Sequence, residues 1–293
     1  MVKLTTRRGF FVRKRNQGTD KKQYKSFERE AKVLFWDAEC SPVLGYTYGQ
    51  YQTNVIKVER PPVLLSFAWK WLGEEETHCL TLHDRATVQQ GDDSLLAKEL
   101  WNILDQAEIV VNHNVRFDNK FANGLFLRHG MPPTSWYKTF CTLQTARRYF
   151  KLDNNKLDYL GQLLGVGQKT AITNHDVWYD CLIHNDEEAW KKLATYNIQD
   201  VVLLEKIYKK LLPFATNHPN GALSAGREDI CPRCMHQSEF SIKAYRKTGA
   251  QVNAIQVQCR NCHGYVTRPL TKEEREELDY HRRLKSFYRN IAN

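Results

Sequence analysis

Lys32-Val33-Leu34-Phe35-Trp36-Asp37-Ala38-Glu39 runs through four consecutive apolar residues into an acid, a small spacer and a second acid. An apolar run of this length reads as a buried strand, and the pattern predicts that it ends at Asp37. Strand side chains alternate, so Asp37 and Glu39, two apart, project to one face. Acids set against such a run are tolerated when they are paired or bound to a metal.

Outward from this stretch the chain alternates strand-like and helix-like segments. Val63 to Trp69 predicts a second strand and Thr77 to Leu82 a third. Asp92-Asp93-Ser94 predict an N-terminal cap for a helix bearing Leu95, Leu96, Leu100, Ile103 and Leu104. Ile109-Val110-Val111 reads as a short strand leading into Asn112-His113-Asn114, and Asp118 opens a helix that Gly130 stops. A strand and helix follow between Tyr137 and Phe150, then a helix from Lys156 to Leu164 closed by Gly165. The last long helix is expected to start at Asn185, whose amide caps it, and to end near Leu212 before Pro213. Its apolar stripe is Trp190, Ala194, Val201, Leu204, Tyr208 and Leu211.

Tyr196 and Asp200 lie four apart on that helix, hence on one face. Ile198, Val201 and Val202 surround Asp200, which again speaks for a paired or metal-bound acid over a solvated one. No one of these fragments is specific. Their conjunction, each acid following the expected element, points to a metal centre.

Phe35-Trp36-Asp37-Ala38-Glu39, Asn114-Val115-Arg116-Phe117-Asp118 and Tyr196-Asn197-Ile198-Gln199-Asp200 together resemble the three exonuclease motifs of the DEDDy superfamily. Those motifs occur in proofreading domains of family B DNA polymerases and in stand-alone exonucleases of phages and bacteria. The likeness spans roughly residues 31 to 212 and includes Val63 to Gly73 and Lys156 to Lys169. It implies the ribonuclease H-like fold, a five-stranded mixed sheet with helices on both faces. The sister class carries a histidine five residues before the last aspartate; here that residue is Thr195, and Tyr196 marks the tyrosine variant.

The implied chemistry is 3′→5′ hydrolysis of phosphodiesters with two Mg²⁺ or Mn²⁺ ions, oxygen-loving cations that clamp attacking and leaving oxygens. On that likeness Asp37 bridges both ions, Glu39 and Asp200 complete the first, and Asp118 holds the second. Tyr196 orients the attacking water, with help in deprotonating it as the alternative. Asn114 is placed near the terminal nucleotide. Phe117 is expected in the core, with a stacking role as the alternative. Arg116 and Lys169 could meet phosphates or be solvated, and His113 could be structural or functional. The rival readings are a nucleic-acid-binding or adaptor protein with a dead nuclease centre, and an endonuclease on the same fold. DNA is favoured over RNA and a single strand over a duplex. A replication or repair protein is a further possible partner, and the location expected is the cytoplasm of a bacterial cell or phage-infected host.

Cys231-Pro232-Arg233-Cys234 and Cys259-Arg260-Asn261-Cys262 are two CxxC knuckles separated by twenty-four residues. Four thiolates so spaced predict a closed site for one structural Zn²⁺, a zinc ribbon with strands at Glu239 to Tyr245 and Val252 to Val257. A redox pair is the alternative. Cys40, Cys79, Cys141 and Cys181 stand singly among apolar neighbours and are expected in the core.

The 293 residues are 42% hydrophobic and 12% aromatic, enough for a packed core. No apolar run approaches a membrane span, and the amino-terminal residues lack the apolar segment of a secretory signal, so a soluble intracellular protein is expected. Net charge is +10, which favours a polyanionic partner without specifying a reaction. Ten of the basic residues fall in the first thirty against Asp20, Glu28 and Glu30, a local charge of +7. The expected organisation is a basic arm over 1–30, a nuclease domain over 31–214, a linker over 215–226, the ribbon over 227–270 and a charged helix over 271–293.

Overall fold

In a computed structural model the acid-bearing stretch forms β1 (Val33–Cys40), which continues through both acids instead of ending at Asp37. The structure describes residues 31–49, 51, 54–83, 85–169, 176–221, 230–237, 239–248 and 251–291; the basic arm lies outside them. β1 is held past the acids because β4 (Leu64–Trp71) pairs antiparallel along it, setting Asp37 opposite Ala68 and Glu39 opposite Ser66. On its other side β1 pairs parallel with β6 (Ile109–Asn112). β5 (His78–Thr81) and β7 (Lys138–Cys141) complete a mixed five-stranded sheet in the order β5-β4-β1-β6-β7.

Alternation along β1 divides the core. Leu34 and Trp36 face a cluster with α2 (Ser94–Gln106) and α3 (Val115–Arg128), whereas Val33 and Phe35 face the opposite layer. That layer contains α4 (Thr142–Tyr149), α5 (Leu157–Leu163) and the carboxyl half of α7 (Glu187–Leu211). Asp37 and Glu39 share the parity of Val33 and Phe35, so they fall on the α7 side. The expected stripe of α7 is buried, with Ala194 at its half-buried margin. A short α1 (Arg85–Gln90) precedes α2, and α6 (Asp176–Tyr179) runs into a π-turn (Asp180–His184) ahead of α7.

Two expected caps are corrected. Asn185 adopts a left-handed conformation (φ 49°) that ends the π-turn, and its Oδ1 accepts from Trp190 Nε1 at 2.7 Å. The cap of α7 is therefore Asp186, whose carboxylate accepts from the Ala189 amide at 2.7 Å. At α2 the carboxylate that meets the helix start is Asp92, whose Oδ1 accepts from the Ser94 amide at 3.0 Å, because the buried Asp93 carboxylate is taken by Leu64 N, Arg128 and His129. Among the four single cysteines, Cys141 and Cys181 are buried, while Cys40 and Cys79 are half-buried.

β2 (Leu44–Tyr46) and β3 (Lys57–Arg60) form a separate two-stranded ribbon between β1 and β4, unforeseen in the sequence. Beyond α7, β8 (Phe240–Thr248), β9 (Gln251–Cys259) and β10 (Tyr265–Pro269) make a three-stranded antiparallel sheet, one strand more than expected. The charged tail forms α8 (Lys272–Ile291). Ala215 is fully buried and His218 bonds the Tyr208 hydroxyl at 2.8 Å, so the start of the expected linker packs on α7. No helix of the described residues is long and apolar enough to cross a membrane.

Candidate active site

β1 and α7 bring three carboxylates together. One oxygen from each of Asp37, Glu39 and Asp200 lies within 4.8 Å of the others. Asp118, buried in the first turn of α3 just past β6, stands beside them, and after burial its charge is the largest push on Asp37. Tyr196 is one helical turn before Asp200 on the same face of α7.

Burial raises the pKa of every one of these acids. Asp37 is raised well above its ordinary value by burial and then by Asp118, Asp200 and Glu39. Glu39 is pushed up to about 7 by burial and then by Asp200, and Asp118 to about 7 by burial. Asp200 is raised by burial even though Lys169 pairs with it. Burial also pulls the Lys169 ammonium down, but the contact with Asp200 outweighs this and its pKa is raised. A cluster of acids in this state is a socket for positive charge. Lys169 supplies one such charge, its Nζ donating to Asp200 Oδ2 and to the Tyr196 hydroxyl at 2.9 Å. The other oxygen, Asp200 Oδ1, is buried with no hydrogen-bond partner among the described residues. An orphaned carboxylate oxygen facing two further acids fits a hard divalent cation.

Three neighbours that sequence reading passed over hold this arrangement. Asn197 is fully buried and donates to Asp37 Oδ2 at 2.9 Å, while its own Oδ1 accepts from Ser66 Oγ at 3.1 Å. Asn197 thus fixes one Asp37 oxygen, and Ser66 fixes Asn197. A buried amide inside an apolar helix face was the available signal. Trp178 donates from Nε1 to Glu39 Oε2 at 3.2 Å and meets the Tyr196 ring edge-on at 6.5 Å. Nothing in the local sequence marks Trp178.

The remaining predicted residues separate into two groups. Asn114 has φ 81° at the start of α3, is exposed, and makes no side-chain capping bond. Arg116 is exposed. Phe117 is 57% exposed, which overturns the expectation that it fills the core: the first turn of α3 sends Val115 and Asp118 inward and Phe117 out. His113 has both ring nitrogens engaged, by Thr142 Oγ1 and Asn155 O, each at 2.9 Å, and burial lowers its pKa to about 4.

Cys231, Cys234, Cys259 and Cys262 form the second candidate metal site, far along the chain from the first. Cys231 and Cys262 sulfurs lie 3.8 Å apart, as do Cys234 and Cys259, which leaves all four thiols free of disulfides. A tetrahedron with bonds of about 2.3 Å to sulfur has edges of about 3.8 Å. The site is fused to the nuclease body. Ile230 and Met235 share the core cluster of Ile207, Leu211 and Ala215, and the buried Arg233 donates to Pro213 O at 2.9 Å beyond the α7 terminus.

The raised acids give a signed pH dependence. A folded-state pKa above the ordinary 3.8 or 4.5 means the folded protein holds protons that the unfolded chain has released. Their contribution to stability is present at low pH and is lost as pH rises through about 7. With chelator present, the urea midpoint is expected to fall between about pH 5 and about pH 8, and Mn²⁺ at the higher pH is expected to restore it.

Residues 65–212, about half of the chain, match the RNase_H superfamily. The matched span contains Asp118, Tyr196 and Asp200 and begins after Asp37 and Glu39. A search of curated proteins finds no match to the chain. With a mixed five-stranded sheet, helices on both faces and an acid cluster on β1 and α7, the chain belongs to the RNase_H superfamily, a group made up mostly of nucleases and other hydrolases.

Proposed function

We propose that this protein is a metal-dependent 3′→5′ exonuclease of the DEDDy type acting on single-stranded DNA. The observation that carries the reading is the convergence of Asp37, Glu39 and Asp200 with oxygens within 4.8 Å, beside Asp118 and under Tyr196. Asp37, Glu39 and Asp200 would hold one Mg²⁺ or Mn²⁺, and Asp37 with Asp118 a second. When bound, the ions supply charge stabilisation at the attacking and leaving oxygens of the phosphodiester. Asn197 keeps Asp37 oriented for this through its 2.9 Å bond.

Tyr196 supplies a hydroxyl beside the carboxylates, and Lys169 Nζ donates to it at 2.9 Å. The same hydroxyl hydrogen-bonds the Asp200 carboxylate, which holds it among the acids, where it would orient a water. Burial and then Asp200 raise its pKa, which suits a group that positions the water. Tyr196→Phe is expected to slow single-turnover hydrolysis by about 10²-fold, the lower end for a positioned acid–base group, with substrate affinity little changed. An unchanged rate would leave Tyr196 as packing on Trp178.

In the same reading Asn114 and Phe117, exposed on the rim at the start of α3, contact the terminal nucleotide, and Arg116 reaches the phosphates. The four-cysteine site holds one structural Zn²⁺, the ion suited to a closed all-thiolate tetrahedron. The exposed Ile242 and Tyr245 of its sheet, with Lys243 and Arg246, would serve nucleic acid or a replication or repair protein. The exonuclease reading is tested by giving the protein matched linear and circular single strands with Mg²⁺ and with EDTA. Linear strands are expected to be degraded only with Mg²⁺ while circles persist; cleaved circles would make the protein an endonuclease.

A further inference from the structure

Among the described residues β2 and β3 pair only with each other, so the ribbon they form stands off the main sheet. It is nevertheless tightly closed. A Cβ on Gly45 would meet Val55 Cγ1 at 2.4 Å and Lys57 O at 2.6 Å, and Ile56 N donates to Tyr46 O at 2.8 Å. Tyr46 at the end of β2 is 60% exposed, and Tyr48 and Tyr51 in the connection to β3 are 86% and 94% exposed. Apolar groups concentrated this way, with no core to fill, mark a contact surface.

The ribbon's place is fixed by the carboxylates. At its base Ser41 N donates to Val63 O and Val63 N to Ser41 Oγ, each at 2.9 Å. That junction directly follows the pairs Glu39–Ser66 and Cys40–Leu64 in the β1–β4 register. The ribbon therefore leaves the sheet at the edge that carries Asp37 and Glu39.

We propose that the β2–β3 ribbon is a stacking platform for the bases of a single nucleic-acid strand whose end is held at the carboxylates. The proposal rests on the nuclease reading and names how the strand behind that end is gripped. A tyrosine face accepts any base, which suits an enzyme that moves along a strand regardless of sequence. Its hydroxyl stays in water, so full exposure of the free protein costs little. The outermost positions are the tyrosines, whereas Leu44, Ile56 and Val58, which a protein partner would use as anchors, are only about half exposed. A duplex keeps its base faces stacked inside and offers these rings nothing. The chain's +10 charge adds attraction for the phosphates.

The test is equilibrium binding, in chelator and in an Asp37→Ala background, of an oligothymidylate and an abasic strand of equal length. Stacking predicts that this parent prefers the base-bearing strand by about tenfold or more. Combined Tyr46→Ala, Tyr48→Ala and Tyr51→Ala should erase that preference, and the three matching Phe substitutions should keep it. Two results overturn the proposal: a parent that binds both strands equally, or an alanine variant that binds oligothymidylate as tightly as its parent. Either one assigns the ribbon to a protein partner and leaves the nuclease reading standing, because that reading is decided by cleavage with Asp37 in place.

Discussion

Asp37→Ala is expected to lower hydrolysis by about 10³-fold or more, the several kcal/mol of transition-state charge stabilisation that ions held by this carboxylate would supply in the proposed mechanism. The protein should stay folded. Asp37 is crowded by Asp118, Asp200 and Glu39, and burial already drives its pKa well up, so in ion-free protein its removal relieves repulsion. The melting temperature in chelator should be equal or higher than that of the parent. Mn²⁺ should raise it less than in the parent, since a bound ion stabilises only the state that binds it. Full hydrolysis by the variant would remove Asp37 from the centre.

The second large effect concerns the cysteine site. On the proposed four-cysteine ligation, Cys231→Ser is expected to abolish tight Zn²⁺ binding and to destabilise the whole protein by several kcal/mol. That is a fraction of the roughly 10–16 kcal/mol that such ions contribute in isolated finger peptides. The effect should reach the nuclease body because Ile230 and Met235 pack with Ile207, Leu211 and Ala215, and because Arg233 satisfies Pro213 O beyond the last helix. Gly264 of the second knuckle lies against Arg233, where an added Cβ would meet its guanidinium at 2.9 Å. Truncation after Phe214 should likewise lower stability, since it uncovers that cluster. Cys79→Ser, half-buried and outside the site, is the control. Metal analysis and thermal unfolding check both variants; unchanged zinc content in Cys231→Ser would refute the four-cysteine ligation.

The acids were legible because each sits against a feature with its own periodicity. Val33 to Trp36 fixed a buried strand, and its alternation put Asp37 and Glu39 on one face. The four-residue spacing of Tyr196 and Asp200 did the same on a helix. What local pattern cannot carry is partnership across the chain. The Lys169–Asp200 ion pair spans thirty-one residues, and the Trp178–Glu39 bond one hundred and thirty-nine. Neither is visible until α7 is laid across β1. Asn185 and Asp93 misled for a related reason. Both have the chemistry of a cap, but a tertiary partner claimed each side chain first: Trp190 in one case, and Leu64, Arg128 and His129 in the other. Phe117 misled because aromatic residues default to the core, whereas helix phase at α3 gives the inward positions to Val115 and Asp118. Composition described the cysteine sheet as a separate module. Its attachment to the α7 terminus depends on Arg233 and Met235, residues that no spacing rule singles out.

Digestion of a 5′-labelled single-stranded DNA in Mg²⁺, resolved at single-nucleotide steps over time, decides whether the carboxylates carry out 3′→5′ hydrolysis. A ladder is expected that shortens one nucleotide at a time from the 3′ end, with labelled mononucleotide appearing last, and no ladder with Asp37→Ala or with EDTA. Labelled mononucleotide released at the first time point, or an undiminished ladder from the Asp37→Ala protein, would contradict it.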